Sequence, residues 1–154
     1  MQLNVFVDAD HAGNRVTRRS HTGILIYLNS APIQWYSKAQ ATVETSTFGS
    51  EFIAMRIAVE MIEAMKYKLY MFGIPIDGPA NVFCDNKSVV TNSTVPESTL
   101  KRKHNAIAYH RVREAVAAGV LRIAFVFSKH NNADLLTKPL PGNILRALVH
   151  NILW

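Results

Sequence analysis

Three short β-type runs open this chain, and then the hydrophobic period changes and stays changed. Leu3 to Asp8 (LNVFVD) is rich in β-branched and aromatic residues and is followed by the turn residues Ala12-Gly13-Asn14, so it reads as a strand. Gly23 to Leu28 (GILIYL) reads as a second strand, and Asn29-Ser30-Ala31-Pro32 as a tight connection into a third, Ile33 to Tyr36. From about Ser46 to Phe72, Arg56, Glu60 and Glu63 fall in one narrow helical stripe while Phe52, Ile53, Met55, Val59 and Ile62 occupy the rest. That pattern predicts a long, largely buried helix, ended by Gly73 and Pro75.

After Asp77-Gly78-Pro79, the run Asn81 to Cys84 reads as a fourth strand and Lys87 to Asn92 as a brief helix. Lys103 to Ala118 regains a helical period closed by Gly119, and Leu121 to Phe127 alternates as a fifth strand. Asn132 to Thr137 can open a last helix before Pro139 and Pro141, and Ile144 to Trp154 is apolar at helical spacing. The order β-β-β-α-β-α-α-β-α predicts an α/β domain with a mixed sheet: three antiparallel strands, then two parallel ones, with helices on both faces. In such sheets ligands sit at the carboxyl ends of central strands. No repeat or long linker divides the chain, so residues 1–154 are expected to form one domain, a core of 1–141 and a helical tail of 142–154.

Composition excludes several classes. A hydrophobic fraction of 49% with 18% charged residues is ordinary for a globular chain, and no apolar run reaches the roughly 20 residues of a membrane span. One cysteine, Cys84, permits neither an internal disulfide nor a cysteine zinc cluster. A soluble, intracellular protein is therefore expected. Seventeen Lys and Arg against eleven Asp and Glu leave a net charge of +6, which favours a polyanionic partner.

Four acids fall at structural junctions. Asp8 and Asp85 end the first and fourth strands, and they emerge on one sheet edge if those strands are parallel neighbours; each alone also reads as a turn residue. Glu51 lies about 140° around its helix from Arg56, off the polar stripe, so it faces the protein, where a carboxylate needs a cation, a donor or a metal. A helix N-terminal acid is the alternative reading. Asp134, just past the fifth strand, reads by itself as a cap or first-turn acid. Together, four hard oxygen donors converging on one point are what Mg²⁺ or Mn²⁺ requires.

Seven pieces in order carry a resemblance: Val7-Asp8-Ala9-Asp10-His11-Ala12-Gly13, Thr17-Arg18-Arg19-Ser20-His21-Thr22-Gly23, Ser37-Lys38-Ala39-Gln40, Ser50-Glu51-Phe52, Cys84-Asp85-Asn86, Lys103-His104 with Tyr109-His110, and Ala133-Asp134-Leu135-Leu136-Thr137-Lys138-Pro139-Leu140. Over nearly its whole length the chain resembles the ribonuclease H domain of Ty1/copia-type retrotransposon polyproteins. The resemblance implies the RNase H-like fold, a catalytic tetrad of Asp8, Glu51, Asp85 and Asp134 that also ligates two Mg²⁺ (Mn²⁺ substituting), and hydrolysis of the RNA strand of RNA–DNA hybrids. It further implies a reverse transcriptase domain as partner in a parent polyprotein, and a cytoplasmic or virus-like-particle setting. Asp10, two residues along the same strand face, rivals Asp8 as first ligand. The chain departs from the family in His11, where a Trp is common, and in Gly49 within the acidic helix motif.

His130 is an auxiliary candidate for proton transfer or product release, against a solvated loop histidine. Arg19, Ser20, Lys38, Gln40 and Lys103 are candidates for gripping the hybrid, and Arg111 and Arg113 for extending a basic face. Trp35 and Tyr36 are expected in the core. His104 and His110, six apart, do not make a helical zinc pair. Two rival readings stand beside the nuclease: a hybrid-binding module without turnover, and a nuclease or integrase of the same fold acting on duplex DNA.

Overall fold

The computed structural model describes residues 1–97 and 105–153. Lys103, with Lys101, Arg102 and His104, lies outside these residues, as does Trp154. Along the chain run β1 (Leu3–Asp10), β2 (His21–Leu28), β3 (Ala31–Ala39), α1 (Thr47–Met71), β4 (Ala80–Cys84), α2 (Lys87–Thr94), α3 (Ala106–Ala117), β5 (Leu121–Phe125), two 3-10 turns (Ser128–His130 and Asn132–Leu136) and α4 (Gly142–Leu153). The sheet order is β3-β2-β1-β4-β5. β1 to β3 pair antiparallel, while β4 pairs parallel with both β1 and β5. This is the expected five-stranded mixed sheet. No helix among the described residues is long and apolar enough to cross a membrane.

Strand alternation sorts the two faces. Leu3, Val5 and Val7 of β1, with Ile24, Ile26 and Val82, join Phe52, Met55, Val59 and Ile62 of α1 in one core that also takes in Tyr109 and Val112 of α3. On the other face Phe6 stacks on Phe83 and meets the edge of Tyr27. Ser46 caps α1, its side chain accepting from the Gly49 N–H, and the exposed stripe carries the Arg56–Glu60 pair at 2.6 Å and a Glu63 bond to Arg111 of α3. At its other end Gly73, at φ 70°, lets the Gly73 and Ile74 N–H groups close back on the Tyr70 and Leu69 carbonyls.

Far from the carboxyl ends, a polar ladder crosses the parallel strands. Arg122 Nε donates to Asn81 Oδ1 at 2.5 Å, Asn81 Nδ2 to Asn4 Oδ1 at 2.8 Å, and Asn4 Nδ2 to the Asn29 carbonyl at 3.1 Å. These residues are register partners, Asn4 opposite Asn81 and Asn81 opposite Arg122.

The structure corrects several sequence expectations. β1 continues to Asp10, so Asp8 stands inside a strand, opposite Gly23, rather than at its end. Trp35 is 68% exposed on edge strand β3, while Tyr36 packs against the core. The segment expected to open the last helix is a 3-10 turn over Asn132–Leu136, and the helix itself starts at Gly142, after Pro141. Among α4's described residues only Leu148 is buried.

Candidate active site

Parallel pairing of β1 and β4 puts Asp8 and Asp85 side by side, because Val7 pairs with Cys84 and each acid follows its partner by one residue. Asp134 arrives from the 3-10 turn after β5, the strand on the far side of β4. One carboxylate oxygen from each of Asp8, Asp85 and Asp134 lies within 4.8 Å of the others. Glu51, one turn into α1, lines the same cleft of about 530 Å³ with Asp8, Asp10, His11, Thr47, Asp85, Asn86, Lys87 and Lys138. Asp8, Glu51 and Asp134 are each at most 5% exposed, whereas Asp85 is half-buried.

Few protein donors serve these acids. Thr137 Oγ1 donates to Asp8 Oδ2 at 2.5 Å, and Ser128 Oγ to Asp85 Oδ2 at 2.7 Å. Glu51 accepts from the Ala9 N–H. Lys138 Nζ lies 3.1 Å from Asp134 Oδ2 and 3.7 Å from Asp8 Oδ2. Glu51 Oε2 and Asp134 Oδ1 are buried with no hydrogen-bond partner among the described residues. Burial, then the charges of Asp8 and Asp85, hold the Glu51 pKa well above the usual carboxylate range. Burial and then the Asp8 charge push Asp134 up to about 7, against the pull of Lys138. For Lys138, burial lowers the pKa, but Asp8 and Asp134 outweigh it and the net direction is up.

The close approach depends on Gly23. A Cβ there would stand 2.6 Å from Thr137 Cγ2 and 2.8 Å from the Ala133 carbonyl, so only a bare backbone lets the Asp134-bearing turn close over β2 beside Asp8. Asn131, fully buried, pins that turn: its Nδ2 donates to the Val7 carbonyl at 3.0 Å and its Oδ1 accepts from Ala133 N–H at 3.2 Å. Ser37 Oγ adds a bond to the Leu136 carbonyl.

The other candidates separate. Asp10 and His11 line the cleft, Asp10 packing so tightly on Gly13 that a Cβ there would meet its carboxylate at 1.9 Å. His130 is exposed at the end of the first 3-10 turn and is absent from the cleft lining. Arg19 and Lys38 are exposed beside the β1–β2 turn and on β3. Ser20 and Gln40 are buried, and their side chains serve the protein. Ser20 Oγ accepts from the Ala12 N–H, while Gln40 Nε2 donates to Thr22 Oγ1 and the Ser50 carbonyl, tying the end of β3 to the start of α1. Arg111 is engaged by Glu63 of α1 and Glu114, and Arg113 holds the carbonyls of Asn92, Val95 and Pro96, so the first ties α3 to α1 and the second ties it to the end of α2, rather than forming a free basic face. Sequence reasoning missed Gly23, Thr137 and Lys138 as site residues. The signals were the i,i+4 spacing of Asp134 and Lys138 and a lone glycine inside an apolar strand.

The donor set suits a hard divalent cation: three carboxylate oxygens close together, and two buried carboxylate oxygens that no group among the described residues satisfies.

No protein-family model matches the chain. The Retrovirus-related Pol polyprotein from transposon RE1 of Arabidopsis thaliana is 33% identical over 140 residues, covering 91% of this chain and 10% of the polyprotein. That from transposon TNT 1-94 of Nicotiana tabacum is 33% identical over 141 residues, 92% of this chain and 10% of its own length. The chain thus spans about a tenth of these curated relatives. Among solved structures, LC11-RNase H1 in complex with an RNA/DNA hybrid superposes with a TM-score of 0.66 at 18% identity, over 88% of this chain and 94% of that one. That likeness concerns the fold.

Proposed function

This chain is a homologue of the ribonuclease H-fold segment of retrotransposon Pol polyproteins, and from that premise we propose that it is a ribonuclease H, cutting the RNA strand of RNA–DNA hybrids to leave 5′-phosphate and 3′-hydroxyl ends. The observation that carries the reading is the meeting of Asp8, Asp85 and Asp134 at one sheet edge, with Glu51 in the same cleft and buried carboxylate oxygens left unsatisfied among the described residues.

Asp8, Glu51, Asp85 and Asp134 would hold two Mg²⁺, or Mn²⁺, in this cleft. Bound there, the ions would activate a water and stabilise the departing phosphodiester oxygen. The protein's part is to keep four like charges in place: parallel strands align Asp8 with Asp85, α1 carries Glu51 in from the core side, and the Asn131-pinned turn delivers Asp134. Asp10 at the cleft wall and His130 beyond it are auxiliary candidates for proton handling. Arg19 and Lys38 supply exposed cations for phosphates near the cleft, with Lys103 a further candidate, and recognition of the 2′-hydroxyl would distinguish RNA from DNA. Ser20 and Gln40 support that surface from beneath.

Residues 1–154 work as one domain, 1–141 carrying sheet and cleft and 142–154 the helical tail. The parent is a Pol polyprotein whose reverse transcriptase is the partner, acting in the cytoplasm or a virus-like particle.

The test is cleavage of a labelled hybrid by purified protein in Mg²⁺, beside EDTA, the Asp85→Asn variant and duplex DNA. RNA cleavage that vanishes with EDTA and with Asp85→Asn is the expected result. Cleavage untouched by the substitution removes this mechanism, hybrid binding without cutting in Mg²⁺ or Mn²⁺ returns the chain to a binding module, and cutting of duplex DNA reassigns the substrate.

A further inference from the structure

Acids crowd this cleft, and among the described residues Lys138 is the lysine in ion-pair contact with them. Lys138 Nζ is 3.1 Å from Asp134 Oδ2 and 3.7 Å from Asp8 Oδ2, so it touches two of the three acids whose oxygens cluster most tightly. Its backbone is fixed on the N-terminal side, because Thr137 bonds through its hydroxyl to Asp8 and through its N–H to the Asp134 carbonyl. On the C-terminal side Pro139 restricts the residue before it. The side chain is 35% exposed and lines the cleft, so its four-carbon stem offers the ammonium a way out that the anchored backbone does not share.

We propose that Lys138 is a tethered counter-ion that holds Asp8 and Asp134 together when no divalent ion is bound and competes with such an ion for their oxygens. The inference rests on the reading of the cleft as a divalent-ion site. A divalent cation on the same Oδ2 atoms that Lys138 contacts would meet the ammonium with strong mutual repulsion, so an ion ligated through Asp8 Oδ2 and Asp134 Oδ2 displaces Lys138. A competitor on a short tether acts at a high effective concentration, so its presence weakens apparent metal affinity. The opposite role, a lysine that pre-orients the acids for the ion, predicts the opposite sign.

Isothermal titration of Mg²⁺ and Mn²⁺ into the wild-type protein, Lys138→Met and Lys138→Arg separates these, with no substrate present. Lys138→Met is expected to bind about tenfold or more tightly than wild type, and Lys138→Arg, which keeps the charge, to stay near wild type. In EDTA the Met variant should melt below wild type, the gap closing at saturating Mg²⁺. Equal or weaker binding by Lys138→Met, with binding by wild type intact, overturns the role of Lys138 and leaves the metal site standing. Failure of both wild type and Lys138→Met to bind overturns the metal site and Lys138 with it. Should the Met variant not fold, the ¹⁵Nζ resonance of Lys138 in the unmodified protein decides: on Mg²⁺ titration it is expected to move to the position of a free lysine, and an unmoved resonance at saturation overturns the proposal.

Discussion

Thr137 Oγ1 donates to Asp8 Oδ2 across 129 positions of sequence, so a hydroxyl three residues after Asp134 holds the carboxylate of a central-strand aspartate. Thr137→Val keeps the shape and removes the donor. The charged acceptor is buried, so the loss expected is about 1.5–3 kcal/mol, read as a lowered urea midpoint. Cleavage should fall as well, since Asp8 would then be held by Lys138 alone among its described side-chain donors. An unchanged midpoint would show that the bond adds nothing in solution.

Gly23→Ala is the sharper test of how the site closes. Its Cβ would overlap the Thr137 methyl and a backbone carbonyl, so the turn carrying Asp134 has to move. Overpacking of this kind costs about 1–3 kcal/mol. Single-turnover cleavage at a temperature where the variant is fully folded should fall further than the stability loss explains. A variant as active as wild type would mean that the turn tolerates displacement.

Without divalent ions, stability should decline as pH rises. Asp134 is raised to about 7 in the folded protein and Glu51 is raised too, whereas in the unfolded chain both titrate near ordinary carboxylate values. The folded state therefore binds more protons between about pH 4 and pH 7. The stability that this contributes is complete below the unfolded pKa and is lost as pH climbs through the folded one. Melting curves in EDTA from pH 5 to pH 8 check it, and Mg²⁺ should flatten the trend. A melting point that rises with pH in EDTA contradicts the assignment.

Asn131→Ala leaves the Val7 carbonyl without its side-chain donor and frees the turn at its base. A loss of about 1–3 kcal/mol is expected with an unchanged denaturant slope, as for any unsatisfied buried group. Hydrogen exchange should show faster opening in the Asn132–Leu136 turn than in β1.

Local pattern sufficed wherever one element settled the outcome. The strands, the long helix and the inward aim of Glu51 followed from periods of two and 3.6, and parallel pairing of β1 with β4 then brought Asp8 to Asp85. What stayed hidden depends on elements distant in sequence. Nothing local distinguishes Gly23 from a strand defect until a turn more than a hundred residues later rests on it. Ser20 and Gln40 look like surface polar residues, and become buried only because β3 runs on to Ala39 and meets the start of α1. Trp35 has the composition of a core residue but sits exposed on an edge strand. A strand's partner layer, rather than its own sequence, decides which of its faces is covered.

The carboxamide ladder at the opposite rim acts as an alignment pin for the whole cleft. A slip of β4 by one residue against β1 would carry Asp85 about 3.3 Å along the strand and turn the following side chains to the other face. It would also separate Asn81 from Asn4 and Arg122, so the misaligned sheet loses its bonds at one rim and its acid cluster at the other. Transplanting this cleft onto another sheet therefore calls for copying residues from both rims, since the tolerance at the acids is set by the pin at the far end.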